Sequence, residues 1–306
     1  MAFSPILRGP LFMSIAMAGF TINDALVKLV SVSMNMGQAM LLRGIFATAL
    51  LVLLMFRNGT FGQPALLKQK SVVIRVVCEV GATITFLLAL FNLPIANVHA
   101  VLQALPLGVT MGAALVFSEP VGWRRWSAIF AGFLGVLIIV RPGFAGFSMW
   151  SLLAVATVGF CIVRDLATRR IPANTPTALV SAATSFAVMA CGGILVLPLG
   201  GWAPLTLSST ASLFAAAVAL VVAYQFIITA LRTGDISFLA PFRYTGLLWA
   251  IALGFFVFGD VPDGMMLLGA AIVVASGLYA LYREQVVGRR KLIAESTGPG
   301  MAPEGT

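Results

Sequence analysis

Charge is what this chain has least of. Only 9% of its 306 residues are Asp, Glu, Lys or Arg, against about 25% in soluble domains, so it cannot clothe a core in a water-facing surface. Soluble enzymes and binding modules are excluded as a class. Histidine occurs once and cysteine three times, and Cys78, Cys161 and Cys191 lie in separate apolar runs without CxxC or Cys/His spacing. Neither a disulfide framework nor a zinc site is supported, and buried small residues are the simplest reading. A GxxxxGK[ST] loop, a metal-spaced His/Cys/Asp set and a nucleophile beside a histidine are missing as well, which argues against an ATP-driven pump or a membrane hydrolase. The expectation is a protein that is not an enzyme and that uses no cofactor and no metal.

What is there instead is apolar: 60% of the residues are hydrophobic and the mean hydropathy is +1.04. Ten runs approach the ~20 residues that cross hydrocarbon as a helix. They cover 9–30, 37–56, 72–91, 97–117, 125–141, 147–167, 177–199, 209–230, 237–257 and 264–282. Ala16-Met17-Ala18 in the first run has the look of a signal-peptide cleavage site, but the apolar stretch before it is short and the run has a counterpart in the second half. It is read as a span.

The net charge of +9 does not point to nucleic acid, because the cations are scattered between apolar runs and do not cluster with aromatics. They orient the bundle. With a cytoplasmic N-terminus, the inner segments hold Arg8, Arg57, Lys68, Lys70, Arg75, Arg124, Arg125, Arg169, Arg170, Arg232, Arg283, Arg289, Arg290 and Lys291, while the outer ones hold Lys28 and Arg141. That is the positive-inside pattern of a multi-pass protein of the bacterial inner membrane, and an even number of spans returns the C-terminus to the cytoplasm. Residues 284–306 are read as a cytoplasmic tail, disordered where Gly, Pro and Ser accumulate.

An ungapped shift of 141 residues lays Asp24 on Asp165, Lys28 on Arg169, Ala89-Leu90 on Ala230-Leu231, Ile95 on Ile236, Phe117 on Phe258 and Glu119 on Asp260. The matches include rare charged positions, and each half holds five runs. An odd number of spans per copy inverts the second, as in carriers built from two halves about an axis in the membrane plane.

The chain resembles the EamA-type members of the drug/metabolite transporter superfamily over about residues 9–283. The likeness rests on the turn Ser118-Glu119-Pro120, the Trp/Arg turn after it and the Gly-rich span ending Val140-Arg141-Pro142, with the second-half counterparts Ala240 to Asp260, Val261-Pro262-Asp263 and Leu268 to Tyr279. It implies an all-α membrane fold of ten helices in two inverted five-helix repeats, 9–141 and 147–283, with both termini cytoplasmic. It also implies secondary transport of small metabolites. Asp24, Arg43, Asp165 and Arg243-Tyr244 look like the subgroup of bacterial uptake carriers for riboflavin and S-adenosylmethionine; export of an amino acid or other metabolite, a channel and a membrane enzyme are the alternatives.

A charge inside a span costs roughly 2.5 to 3.5 kcal/mol on insertion scales, so Asp24, Arg43, Arg164, Asp165 and Arg243 are the leading candidates for substrate binding or coupling. They are expected as two clusters, one toward each membrane face, with the proton as the coupling ion. Gln103 and Tyr244 join them because their spans carry Pro106 and Pro241, which free backbone groups for a cavity; packing is the other reading of both. Lys28, Arg141 and Arg169 read as snorkelling charges, His99 as structural with proton relay as its alternative, and Tyr224, Gln225 and Trp249 as cavity stackers or lipid packing. Gly108 and Gly112 form a GxxxG spacing suited to close contact within the monomer, a homodimer being the other use. Pairing Asp24 with Lys28, Arg75 with Glu79 and Asp165 with Arg169 by helical spacing leaves Arg43, Arg164 and Arg243 unpartnered. Such a lining favours a neutral or acidic, carbonyl-rich metabolite such as a flavin over a sulfonium cation. Gly246 agrees, since a carrier resembling those for S-adenosylmethionine would be expected to hold an acid there.

Overall fold

Ten apolar runs separated by charged turns can satisfy their backbone in hydrocarbon only as helices, and the computed structural model of the chain has that form. It describes residues 5–59, 64–119, 121–142, 148–172, 174–233 and 239–296, with no strand among them. Ten helices are long and apolar enough to cross a membrane, in agreement with the ten runs. They are α1 (Pro5–Leu29), α2 (Met36–Asn58), α3 (Lys70–Asn92), α4a (Ile95–Leu102) with α4b (Leu105–Phe117), α5 (Trp123–Val140), α6 (Met149–Arg169), α7 (Thr177–Val196), α8 (Leu207–Thr233), α9 (Thr245–Phe258) and α10 (Gly264–Ser296). α10 thus continues as helix into the stretch expected as a tail; Pro120 and Ile236, and 297–306, lie outside the described residues.

The fourth span is broken just before Pro106, the proline expected to free its backbone groups. Pro106 has no N–H to give to the carbonyl four residues back, and its ring crowds that carbonyl. The chain tightens before it: Gln103 N–H donates to the carbonyls of His99 and Ala100 at 3.2 and 3.3 Å, and Ala104 N–H to Val101 O at 3.1 Å. Pro241 has a parallel effect in the ninth span, which opens as a 3-10 turn over Ala240–Tyr244 before α9 begins. Gln103 and Tyr244 stand at the two breaks, and the 141-residue offset superimposes them.

The same offset matches the far ends of these spans. α4b stops at Ser118 with φ 54° and α9 at Gly259 with φ 68°, both in the left-handed conformation that ends helices. The next N–H then turns back, Glu119 to Ala113 O at 3.5 Å and Asp260 to Gly254 O at 2.9 Å. Serine in this conformation is uncommon.

Each principal packing joins one half of the chain to the other: α1 on α8 and α9, α2 on α7 and α8, α3 on α6 and α7, α4a on α9, α4b on α6, and α5 on α10. Exchanging each span for the one five places away returns the same set. α5 and α10 approach closely at Gly135 and Gly269, where a Cβ on either would stand 2.8 or 2.7 Å from the other's carbonyl oxygen. Phe130, Leu248 and Phe256 are exposed outward, as lipid-facing apolar groups are. We call the membrane side on which α1 begins the N face and the opposite side the far face.

Candidate functional site

The intramembrane charges gather in two rows. Toward the far face, His99 Nε2 on α4a lies 3.1 Å from Asp24 Oδ2 on α1. Asp24 Oδ1 accepts from Asn23 Nδ2 at 2.8 Å, and Arg43 Nη1 on α2 donates to Asn23 Oδ1 at 3.4 Å. Toward the N face, Arg164 on α6 donates through Nε to Asp165 Oδ1 at 2.8 Å and through Nη1 to Glu79 Oε2 on α3 at 3.2 Å. Arg243, in the 3-10 opening of the ninth span, has no hydrogen bond or ion pair among the described residues but lies within electrostatic reach of Asp165. The two rows bracket Tyr224 on α8, whose hydroxyl is within reach of Glu79, Arg164, Arg75 and Arg43. Tyr224 packs edge-on against Phe20 at 5.2 Å and is still 45% exposed.

Gln103 and Tyr244 sit at the span breaks rather than in the charged rows. Gln103 is buried. The Tyr244 hydroxyl is buried without a hydrogen-bond partner and presses on Gly277 of α10, a packing contact. Trp249 is exposed. Gly108 and Gly112 face Ile162 and Leu166 of α6, so the GxxxG spacing serves contact within the chain.

None of the three pairings expected from helical spacing forms. Lys28 donates to the carbonyls of Leu90 and Leu93 on α3, Arg75 to Thr168 Oγ1 at 2.9 Å, and Arg169 pairs with Glu119 at 3.0 Å. A cross-helix partner was nearer in each case. The released acids change the balance: Glu79 and Asp165 both bind Arg164, which is therefore not unpartnered. Asp24, Glu79 and Asp165 thus stand with Arg43, Arg164 and Arg243, while Arg75 is released from Glu79 as well, so the expected cationic surplus is reduced. Asn23 and Glu79 were not among the site candidates, and His99 was read as structural with proton relay as the alternative. The rarity of a single histidine and of a mid-span carboxylate was the signal available.

Two further contacts link the halves near the surfaces. At the far face the Lys28 ammonium lies over the Phe258 ring at 5.5 Å, within electrostatic reach of Asp260. At the N face Arg169, paired with Glu119, lies over the Phe117 ring at 5.7 Å. The 141-residue offset carries one trio onto the other. Arg141 also bonds Asp263 across the α5–α10 boundary, so neither Arg141 nor Arg169 is a free snorkelling charge. Asp263 caps α10 by accepting from Met266 N–H at 2.7 Å. That bond, with the Arg141 guanidinium beside it, holds the Asp263 carboxyl below its usual range. Among the described residues no group of three or more His, Cys, Asp or Glu could hold a metal ion.

No family model matches the chain. It is 30% identical over 295 residues to a riboflavin transporter of Vibrio cholerae serotype O1, covering 93% of this chain and 96% of that one. A pseudopaline exporter of Pseudomonas aeruginosa is 24% identical, covering 88% and 94%, and an S-adenosylmethionine uptake transporter of Rickettsia conorii 26% identical, covering 65% and 67%. One solved crystal structure superimposes with a TM-score of 0.62 at 18% identity, over 90% of this chain and 98% of that one, a likeness of fold alone. With ten apolar helices and a near full-length relative at this identity, the chain belongs to the drug/metabolite transporter superfamily of membrane carriers.

Proposed function

We propose that the protein is a secondary carrier of the bacterial inner membrane that takes up a small metabolite by alternating access, with riboflavin as the substrate. The observation that carries the substrate is the 30% identity, over nearly the whole of both chains, to a riboflavin transporter. The mixed lining supports it. Acids and arginines gathered together leave little excess charge for an ionic substrate to neutralise, whereas guanidiniums, carboxylates and the Tyr224 ring offer donors, acceptors and a stacking face to a neutral, carbonyl-rich ring system. The cationic-surplus argument for an acidic substrate is dropped.

Two inverted repeats, 9–141 and 147–283, are the architecture we infer. The exchange-invariant helix pairings, the coincident span breaks and the matched helix ends support them. The positive-inside distribution makes the N face cytoplasmic.

Counterflow in proteoliposomes tests the reading. Vesicles preloaded with unlabelled riboflavin are expected to accumulate labelled riboflavin transiently and saturably, which a channel does not do. Block by S-adenosylmethionine with indifference to excess flavin would transfer the assignment to the cationic substrate.

A further inference from the structure

The one histidine of the chain is buried in the far-face row, 3.1 Å from a carboxylate whose own side chain is 13% exposed. Few other ionisable groups share its end of the bundle: α9 has none between Thr245 and Phe258, and Asp260, just beyond it at the far face, lies within electrostatic reach of Lys28. Arg124 and Arg125 on α5, Arg164, Asp165 and Arg169 on α6, and Tyr279, Tyr282 and Arg283 on α10 all stand in the N-face parts of their membrane spans. α3 sets the Phe86 ring edge-on to the imidazole at 6.4 Å, and its Glu79 is about two turns nearer the N face than Phe86. Lys28 on α1 is held by the Leu90 and Leu93 carbonyls, and at the far-face surface Arg141 is held by Asp263. Asp24 is the carboxyl partner within hydrogen-bond distance, and Asn23 ties it to Arg43.

We infer that His99 and Asp24 form a proton-binding site whose loading is coupled to substrate movement. The inference rests on the carrier reading above and deepens it. With a neutral imidazole, the row of His99, Asp24 and Arg43 carries one negative and one positive charge and sums to zero. A proton taken by the imidazole is retained as an imidazolium–carboxylate pair, and the row becomes a cation. In a low-dielectric interior a net charge is costly unless water or an opposing group meets it. The empty row therefore tolerates occlusion, while the loaded row favours exposure to water or an electron-rich substrate beside Arg43. A site whose charge changes by one unit gives a proton gradient something to act on.

Two measurements test this. In proteoliposomes, riboflavin uptake is compared with and without an imposed pH difference. The ratio is expected to be at least about tenfold in the wild type, equivalent to ~1.4 kcal/mol, and to fall to about one in His99→Gln whatever uptake remains. A wild-type ratio near one, or a ratio kept in His99→Gln, overturns the proposal. If the wild type does not exchange riboflavin at all, the substrate assignment fails and the second measurement decides the site. The chain labelled with [15N]histidine and held in lipid nanodiscs gives one ring signal. That signal is expected to titrate, and its midpoint to move in Asp24→Asn. A ring unresponsive between about pH 5 and 8, or indifferent to Asp24→Asn, overturns the proposal independently of any substrate.

Discussion

Arg164 holds two carboxylates on one guanidinium, and the three side chains are each only partly exposed, at 21%, 20% and 34%. A hydrogen bond between charged groups is worth about 1.5 to 3 kcal/mol, so Glu79→Gln is expected to lower transport about tenfold or more. In a double-mutant cycle Glu79→Gln with Arg164→Gln should cost less than the two single losses summed; strict additivity in the flux assay would show that the pair does not act as a unit. Tyr244 offers a sterically sharper case, since its hydroxyl occupies the place a Cβ on Gly277 would take. Gly277→Ala is expected to destabilise by about 1 to 3 kcal/mol, and adding Tyr244→Phe should recover part of the loss in detergent melts. Asp24, Arg43, Arg164, Asp165 and Arg243 could be picked out in the sequence because a charge within a span is rare. Their partners could not. Helical spacing shows which residues share a face of one helix, whereas Glu79 with Arg164 and Glu119 with Arg169 meet across helices that only tertiary packing brings together.

The helices themselves were nearly all legible, because hydrocarbon admits no other solution for an apolar run and turns must carry the charge. The break at Gln103–Ala104 was not, since hydropathy is blind to a missing N–H; Pro106 was its one trace. The α10 start offers an element-scale prediction through Asp263. Met266 N–H and then Arg141 hold its carboxyl below the ordinary range of about 3.9, and both partners are lost on unfolding. The folded state therefore binds the proton less readily than the unfolded one, so the contribution is complete above that range and vanishes as pH falls through the lower folded value. Wild type is expected to melt above Asp263→Asn at neutral pH and to converge on it in acid. A gap that persists in acid would assign the difference to packing.

At the scale of the molecule, orientation is the first quantity to fix. Cysteines placed at Gln69 and in the C-terminal tail are expected to resist an impermeant thiol reagent in intact cells while one at Gly201 reacts, against a background of native cysteines of which Cys78 and Cys161 are buried. Labelling of the tail from outside would reverse the assignment. The two trios, Lys28 with Phe258 and Asp260, and Arg169 with Phe117 and Glu119, carry a different consequence. Opposite ends of the protein are fastened by chemically alike contacts, so the two trios weigh on its two end states by small and similar terms. Such a molecule is a balance near level, on which a change of about 1.4 kcal/mol at one end shifts the ratio of populations tenfold. Lys28→Ala and Arg169→Ala should tip it in opposite directions, and a distance probe across each face would read the two shifts as mirror images.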